Sequence, residues 1–277
     1  IPLKEQAKRL LRNCLVAAHR PRAARSMLPS FVGIGTQRGG TSYLYELLTR
    51  SPYIHRALFK EVHYFDYNYR RGMRWYRAHF VPEDTAPTGS ITGEASPYYL
   101  FHPHAPQRVK SILPDAKILV LLRDPVKRAY SQFQMERRYN YEHLSFEEAL
   151  EVEDERLRPD FENFAQDELY YGFHHHHHSY RTRGLYAEQL QRWFDHFPRE
   201  QFLILKSESL YADGVGTLNR IFEFIGAPPV TLDTYRGRET YPSYEKIDPV
   251  TEAKLREFYR PHNERLYELL GQDLGWQ

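Results

Sequence analysis

The sequence predicts an α/β fold: one domain built on a central, mainly parallel sheet flanked by helices. Three observations carry this. Lys117 to Leu122 (K-I-L-V-L-L) is a near-continuous apolar run, as expected for a strand covered on both faces. Strand-like runs alternate with segments of helical periodicity. Phe31 to Leu44 reads as a buried strand, a glycine turn and the start of a helix.

In chain order, residues 1–30 read as a basic amphipathic helix and a Pro/Arg-rich linker (Arg20-Pro21-Arg22), with the α/β domain over 31–277. The helix is expected to pack on the domain, with membrane-surface binding as the alternative. A strand at 31–35 follows. Leu44, Leu47 and Leu48 then mark the buried stripe of a helix that ends near Ser51-Pro52. Tyr53 to Tyr67 is irregular and aromatic. Gly93 to Pro97 is a turn after a short strand, and Pro103 to Leu113 reads as a helix. The strand at 117–122 stops at Arg123-Asp124-Pro125, where proline in the first turn opens a helix. His174 to His178 is the one low-complexity tract. It lacks the spaced pattern of a folded metal site and reads as an engineered or tolerated surface loop. A periodic helix over 184–197, a strand at 202–205, a helix over 218–225 ended by Gly226 and a helix over 250–270 complete the chain.

The 277 residues are 41% hydrophobic and 27% charged, an ordinary globular composition. A net charge of +2 does not mark a nucleic-acid binder. One cysteine, Cys14, excludes an intramolecular disulfide and fits a reducing compartment. No apolar run approaches the ~20 residues of a membrane span. A soluble, cytoplasmic enzyme of bacterial type is expected. Because the chain begins at Ile1, a lumenal catalytic domain with its anchor removed is the alternative.

Four segments carry chemistry. The glycine turn gathers unpaired N–H groups at the positive end of a helix, a site for phosphate or sulfate. Gly39 and Gly40 let the backbone approach an anion, Arg38 adds a fixed charge, and Thr41 and Ser42 add hydroxyls. The turn is not a Walker A motif: Gly35 to Gly39 is one residue short, and no Lys precedes Thr41. Second, Arg123 at the end of the central strand and Ser131, two helical turns on, can grip one phosphate from two sides. The alternative is a salt-bridged Arg123 and an exposed Ser131. Third, Lys60-Glu61-Val62-His63-Tyr64-Phe65-Asp66 places acid, imidazole and amine among aromatics, where burial raises a carboxylate toward a general base's working range. The alternative is a charged loop with His63 capping a turn. Fourth, Arg236-Gly237-Arg238 makes a flexible anion clamp. Beside these, Arg70, Arg71, Arg74 and Arg77 share one face if helical, suited to an anionic polysaccharide or merely solvated. Tyr98, Tyr99 and Trp75 are candidates for stacking on an acceptor.

Taken in order, T-Q-R-G-G-T, K-E-V-H-Y-F-D, L-R-D-P with its later Ser, R-G-L-Y-A-E-Q-L-Q-R-W, R-G-R and Y-R-P-H-N-E-R-L resemble the PAPS-dependent sulfotransferases over roughly residues 30–277. They are most similar to the heparan sulfate N- and 3-O-sulfotransferase branch. The resemblance implies the sulfotransferase fold, with Gln37, Arg38, Gly39, Gly40, Thr41 and Ser42 as a P-loop-like loop holding the 5′-phosphosulfate. Arg38 stands where that branch usually has Lys. Arg123 and Ser131 would bind the 3′-phosphate, Arg236, Gly237 and Arg238 would close over the nucleotide, and Tyr186 would lie near it. Glu61 falls on the catalytic base, with Lys60, His63 and Asp66 around the acceptor site. Apart from the resemblance, His63 is the alternative base because its intrinsic pKa is nearer neutral, and Arg70 and Arg74 of the basic face are candidate acceptor contacts. The short, Cys-free segment from Val230 to Arg236 implies a reduced lid. The implied reaction moves a sulfuryl group from PAPS to an acceptor hydroxyl on a saccharide, leaving PAP and needing no metal. Competing readings are a small lipid or natural-product alcohol as acceptor, a nucleotide kinase or NTPase, and a non-catalytic nucleotide- or glycan-binding module.

Overall fold

The computed structural model describes residues 3–228 and 245–276. Five strands form its central sheet: β1 (Phe31–Gly35), β2 (Ile54–Arg56), β3 (Ile91–Ala95), β4 (Lys117–Leu122) and β5 (Phe202–Lys206). Their order is β2-β3-β1-β4-β5, and all four pairings are parallel, with Val32 opposite both Glu94 and Ile118. The expected α/β architecture is present. Strand β2 falls in the segment that reads as irregular, because three residues on a sheet edge are too few to show alternation.

Helix α1 (Leu3–His19) precedes the sheet, and Val16 packs with Ala23 and Ala78. Helix α2 (Thr41–Leu48) follows β1, α3 (Met73–Arg77) precedes β3, and α4 (Ala105–Ile112) precedes β4. Five helices stand between β4 and β5: α5 (Pro125–Arg138), α6 (Phe146–Glu151), α7 (Glu153–Gln166), α8 (Phe173–His177) and α9 (Tyr186–Phe194). Then come α10 (Ser207–Ala212), α11 (Gly214–Ile225) and α12 (Pro249–Leu270).

The apolar run of β4 is explained by its two faces. Ile118, Val120 and Leu122 join Val32, Ile34, Leu190 and Trp193 in one core layer. Leu119 and Leu121 join Phe31, Leu44, Leu47, Leu48 and Ile221 in the other. Alternate side chains of a strand point to opposite faces, so a strand buried on both must be apolar throughout. The chain leaves β1 toward β3 and β2 and returns to pair β4 on β1's other side. The loops after β1 and β4 therefore diverge at the carboxyl edge, the place where open α/β sheets bind ligands. Helix α5 starts there on Asp124, whose Oδ1 accepts from the Val126 and Lys127 amides at 2.9 and 3.1 Å.

Two expectations fail. The four arginines do not share a helix: Gly72, at φ 77°, separates a 3-10 turn over Tyr69–Arg71 from α3. Nor is the histidine tract a surface loop. It forms most of α8, where His175 is buried, stacks on Phe101 at 4.0 Å and pairs its Nδ1 with the Tyr98 hydroxyl at 2.7 Å. Burial holds His175 and His176 well below the usual imidazole pKa. A neutral imidazole packs as an aromatic, so a polar-looking run hid a core contact.

Candidate active site

The β1–α2 loop shows why its residues are where they are. Gly40 sits at the N-cap of α2 with φ 93°, and Arg38 is also left-handed at φ 68°. Such turns curl the main chain into the concave rim that holds anions. A Cβ on Gly39 would lie 2.6 Å from the Leu121 carbonyl, so only glycine lets the loop close on the sheet. Gly40 is required as well, by its left-handed N-cap conformation. From Gly35 to Gly40 the loop has the G-x-x-x-x-G spacing, with Thr41 in the Lys position, which corrects the count made from Gly39.

Arg38 and Ser131, distant in sequence, touch: Arg38 Nε donates to Ser131 Oγ at 3.0 Å. Arg123 donates to the Arg38 carbonyl at 2.9 Å, and the buried Tyr186 donates its hydroxyl to the Arg123 carbonyl at 2.8 Å. Ser207 Oγ donates to the Gly39 carbonyl at 2.7 Å. Ser131 is buried, and Arg123 spends one N–H on the loop's main chain; neither follows the salt-bridged, exposed alternative. Loop, strand end and helix form one cationic, donor-rich rim suited to anionic groups.

The second wall is the segment from Lys60 to Asp66. Val62, Tyr64 and Phe65 are sunk in the core, which turns Glu61 and His63 to the cleft. Both take left-handed backbone, at φ 38° and 53°, a conformation costing about 1–3 kcal/mol per non-glycine residue. It is held by the His63 amide donating to Ser96 Oγ at 3.1 Å and the Tyr64 amide donating to the Tyr99 hydroxyl at 2.8 Å. Tyr76, Tyr99 and Ser96 all donate to Glu94, whose carboxyl burial pushes up to about 7 against those donors.

Lys60 Nζ lies 2.9 Å from Glu61 Oε1, His63 Nε2 3.1 Å from Glu61 Oε2, and His63 Nδ1 2.6 Å from Asp66 Oδ2. Burial works against charge on Glu61, yet Lys60 and His63 outweigh it and hold the carboxyl well below its ordinary range. That is opposite to the rise expected from the aromatic setting. Burial likewise disfavours the His63 cation, but Asp66 and Glu61 outweigh it and push His63 up to about 10.

Between these walls lies a cleft of about 480 Å³, lined by Gln37, Arg38, Gly40, Thr41, Ser42, Glu61 and His63, and by a third wall of Glu136, Tyr139, Tyr141, His176 and His177 among others. The structure thus brings together the loop, Arg123, Ser131, Tyr186, Lys60, Glu61 and His63. Asp66, expected at the acceptor, is buried under His63 with both oxygens engaged, the second by the Tyr67 amide at 2.6 Å. Arg70 and Arg74 are exposed and are not among the lining residues. Arg236, Gly237 and Arg238 lie outside the described residues, as does the segment from Val230. Sequence reasoning missed the third wall and Arg183. That buried arginine donates to Gln37 Oε1 and, at 2.8 Å each, to the carbonyls of His175 and His176. The R-G-L-Y motif contains it, and a charged residue beside that glycine was the available signal. Among the described residues no group of three or more His, Cys, Asp or Glu side chains could hold a metal ion.

A parallel sheet with a cationic glycine loop at its central strand, facing a carboxylate–imidazole pair across one cleft, has the layout of an enzyme that acts on an anionic substrate. The comparisons make this specific. The sulfotransferase domain family matches residues 29–259, and the chain belongs to that family. It is a PAPS-dependent sulfotransferase. It is 30% identical to human "Heparan sulfate glucosamine 3-O-sulfotransferase 6" over 94% of this chain and 80% of that protein. It is 31% identical to human "Heparan sulfate glucosamine 3-O-sulfotransferase 3B1" over 90% of this chain and 65% of that longer protein. Among solved structures, a sulfotransferase from Alicyclobacillus acidocaldarius superposes with a TM-score of 0.68 at 31% identity, over 90% of this chain and 98% of that one. No described helix is long and apolar enough to cross a membrane.

Proposed function

We propose that the protein moves the sulfuryl group of PAPS to a carbohydrate hydroxyl, with Glu61 as general base. The observation that carries this is the setting of His63. Both of its ring nitrogens face carboxylate oxygens, so both carry hydrogen and His63 has no lone pair to take a proton. Glu61 has lone pairs, lines the cleft and stays ionised. His63 and Lys60 orient it, and Asp66 fixes His63.

In the reaction the acceptor oxygen bonds to sulfur, the bond from sulfur to the bridging phosphate oxygen breaks, and the hydroxyl proton passes to Glu61. PAP leaves with the charge. General-base assistance is typically worth ~10²–10⁴ in rate. Arg38, the amides of residues 39–42 and the Thr41 hydroxyl stabilise the departing phosphate, which is usually the larger contribution. Arg123 and Ser131 take the 3′-phosphate, and Tyr186 steadies Arg123 through its carbonyl. These cations and amides supply the charge that Mg²⁺ supplies in phosphoryl transfer. A saccharide acceptor is supported by the relatives named as acting on heparan sulfate glucosamine and by Tyr139 and Tyr141 on the cleft wall.

The test is transfer of labelled sulfate from PAPS across a screen of acceptors. Glu61→Gln is expected to abolish turnover while PAP affinity stays within about two-fold. Near-full activity of Glu61→Gln beside an inactive His63→Ala overturns the assignment of the base.

A further inference from the structure

Glu94, on β3, is a buried carboxyl that the proposed chemistry does not use. Three hydroxyls converge on it. Ser96 donates to Oε2 at 3.0 Å, Tyr76 donates to Oε1 at 2.8 Å, and Tyr99 lies 3.2 Å from both oxygens. Burial, and then Glu94 itself, push Tyr76 and Tyr99 well above the ordinary phenol range, so both keep their hydrogens. The Ser96 oxygen takes the His63 amide hydrogen at 3.1 Å. The Tyr99 oxygen takes those of Tyr64 and Phe65 at 2.8 and 3.3 Å. Each of these two hydroxyls has one hydrogen of its own, and both direct it to Glu94.

Two relays therefore run from one carboxyl, through a single hydroxyl each, to three consecutive amides. Those amides hold the turn in which Glu61 and His63 take left-handed backbone. Strained conformations of this kind persist only where the surrounding contacts over-determine them. Tyr76 braces the same turn: its ring stacks on that of Tyr64 at 4.5 Å while its hydroxyl ends on Glu94. The other end of the assembly is the sheet. Glu94 sits opposite Val32 of β1, and the Ser96 amide donates to the Gly33 carbonyl at 3.0 Å. Strand β1 runs straight into the glycine loop. One carboxyl thus ties the Glu61 turn to the strand that carries that loop.

We propose that Glu94 is a positioning residue: through Ser96 and Tyr99 it sets how Glu61 faces the cleft and how far the base stands from the loop across it. Glu94 itself is not among the residues that line the cleft. This rests on reading Glu61 as the general base. Glutamine has the size of glutamate but one acceptor oxygen and two N–H hydrogens, which would meet hydroxyl hydrogens. Glu94→Gln therefore cuts at least one relay without opening a cavity.

The experiment compares Glu94→Gln and Ser96→Ala with the native enzyme, using labelled PAPS with heparan sulfate and a p-nitrophenyl glucosaminide as acceptors. Burial pushes Glu94 up to about 7, so the assay is run above that pH, where the native residue is ionised. In Glu94→Gln kcat is expected to fall about ten- to hundred-fold, and less in Ser96→Ala, with acceptor KM and PAP affinity within about two-fold. A general loosening of the fold would move KM and PAP affinity along with kcat. NMR titration of His63 adds a readout that needs no acceptor. Burial opposes the His63 cation, yet Asp66 and Glu61 hold it at about 10. With Glu61 turned away, His63 should titrate lower by at least about half a unit. Unchanged kcat in both variants, KM or PAP affinity moving in step with kcat, or an unmoved His63 overturns the proposal and leaves the sulfotransferase reading standing. Should Glu94→Gln not fold, Ser96→Ala carries both readouts; should neither acceptor take sulfate, the titration decides. Near-full activity of Glu61→Gln overturns the assignment of the base, and the proposal with it.

Discussion

Asp66 and His63 show how a residue's role depends on what lies around it. Acid and imidazole were legible because Lys60 to Asp66 packs them into seven residues. Which acid faces the cleft was not, because that follows from Tyr64 and Phe65 anchoring the segment and from Asp66 losing all exposure of its side chain. Position along a motif does not encode burial. Asp66→Asn keeps the shape but removes the charge that does most to raise His63. His63 is then expected to titrate nearer its ordinary range, and the alkaline limb of kcat/KM should move to lower pH by at least one unit. NMR titration of His63 alongside the pH–rate profile checks both. An unmoved limb would mean that His63 protonation does not govern the rate.

At the level of the element, the β1–α2 loop was readable because glycine leaves a local mark: a strand, two adjacent glycines and a hydroxyl pair define a turn without tertiary information. Gly39→Ala would press a methyl group against the Leu121 carbonyl, a backbone atom that cannot swing away. PAP affinity is expected to fall at least ten-fold by calorimetry. Gly89→Ala is the control: φ is 82° but nothing lies within 4 Å, so it should cost about 1 kcal/mol of stability and leave PAP binding intact. The cap of α5 is a separate case. Asp124→Ala leaves two amides without their acceptor and should lower stability by roughly 1 kcal/mol in urea unfolding. Helix α8 was illegible for the opposite reason. Nothing in five histidines states that Phe101, Tyr98 and Glu136 will surround them; those contacts come from α5 and the segment before α4.

For the whole molecule, alternation of strands and helices sufficed for a parallel sheet, but the order β2-β3-β1-β4-β5 comes from crossovers that no local pattern records. The ion cluster under the sheet's edge ties global stability to pH. His63 is raised from 6.5 to about 10, so its contribution is complete below about 6.5 and is lost as pH climbs toward 10. Glu61 is lowered, so its share is complete above about 4.5 and is lost in acid. Tm is therefore expected to decline steadily from pH 7 to 10 and to decline less in Asp66→Asn; equal slopes would refute the linkage. Arg183 adds a consequence of another kind. One guanidinium grips Gln37 on the β1–α2 loop and two carbonyls of the histidine helix. Under the proposed function the two substrates meet this shared anchor from opposite sides, and any coupling it carries between them is reciprocal. Whatever factor bound PAP applies to acceptor affinity, bound acceptor must apply to PAP. Arg183→Lys, which cannot span both, should bring that shared factor toward one, turning an interdependent bisubstrate enzyme into one whose substrates ignore each other.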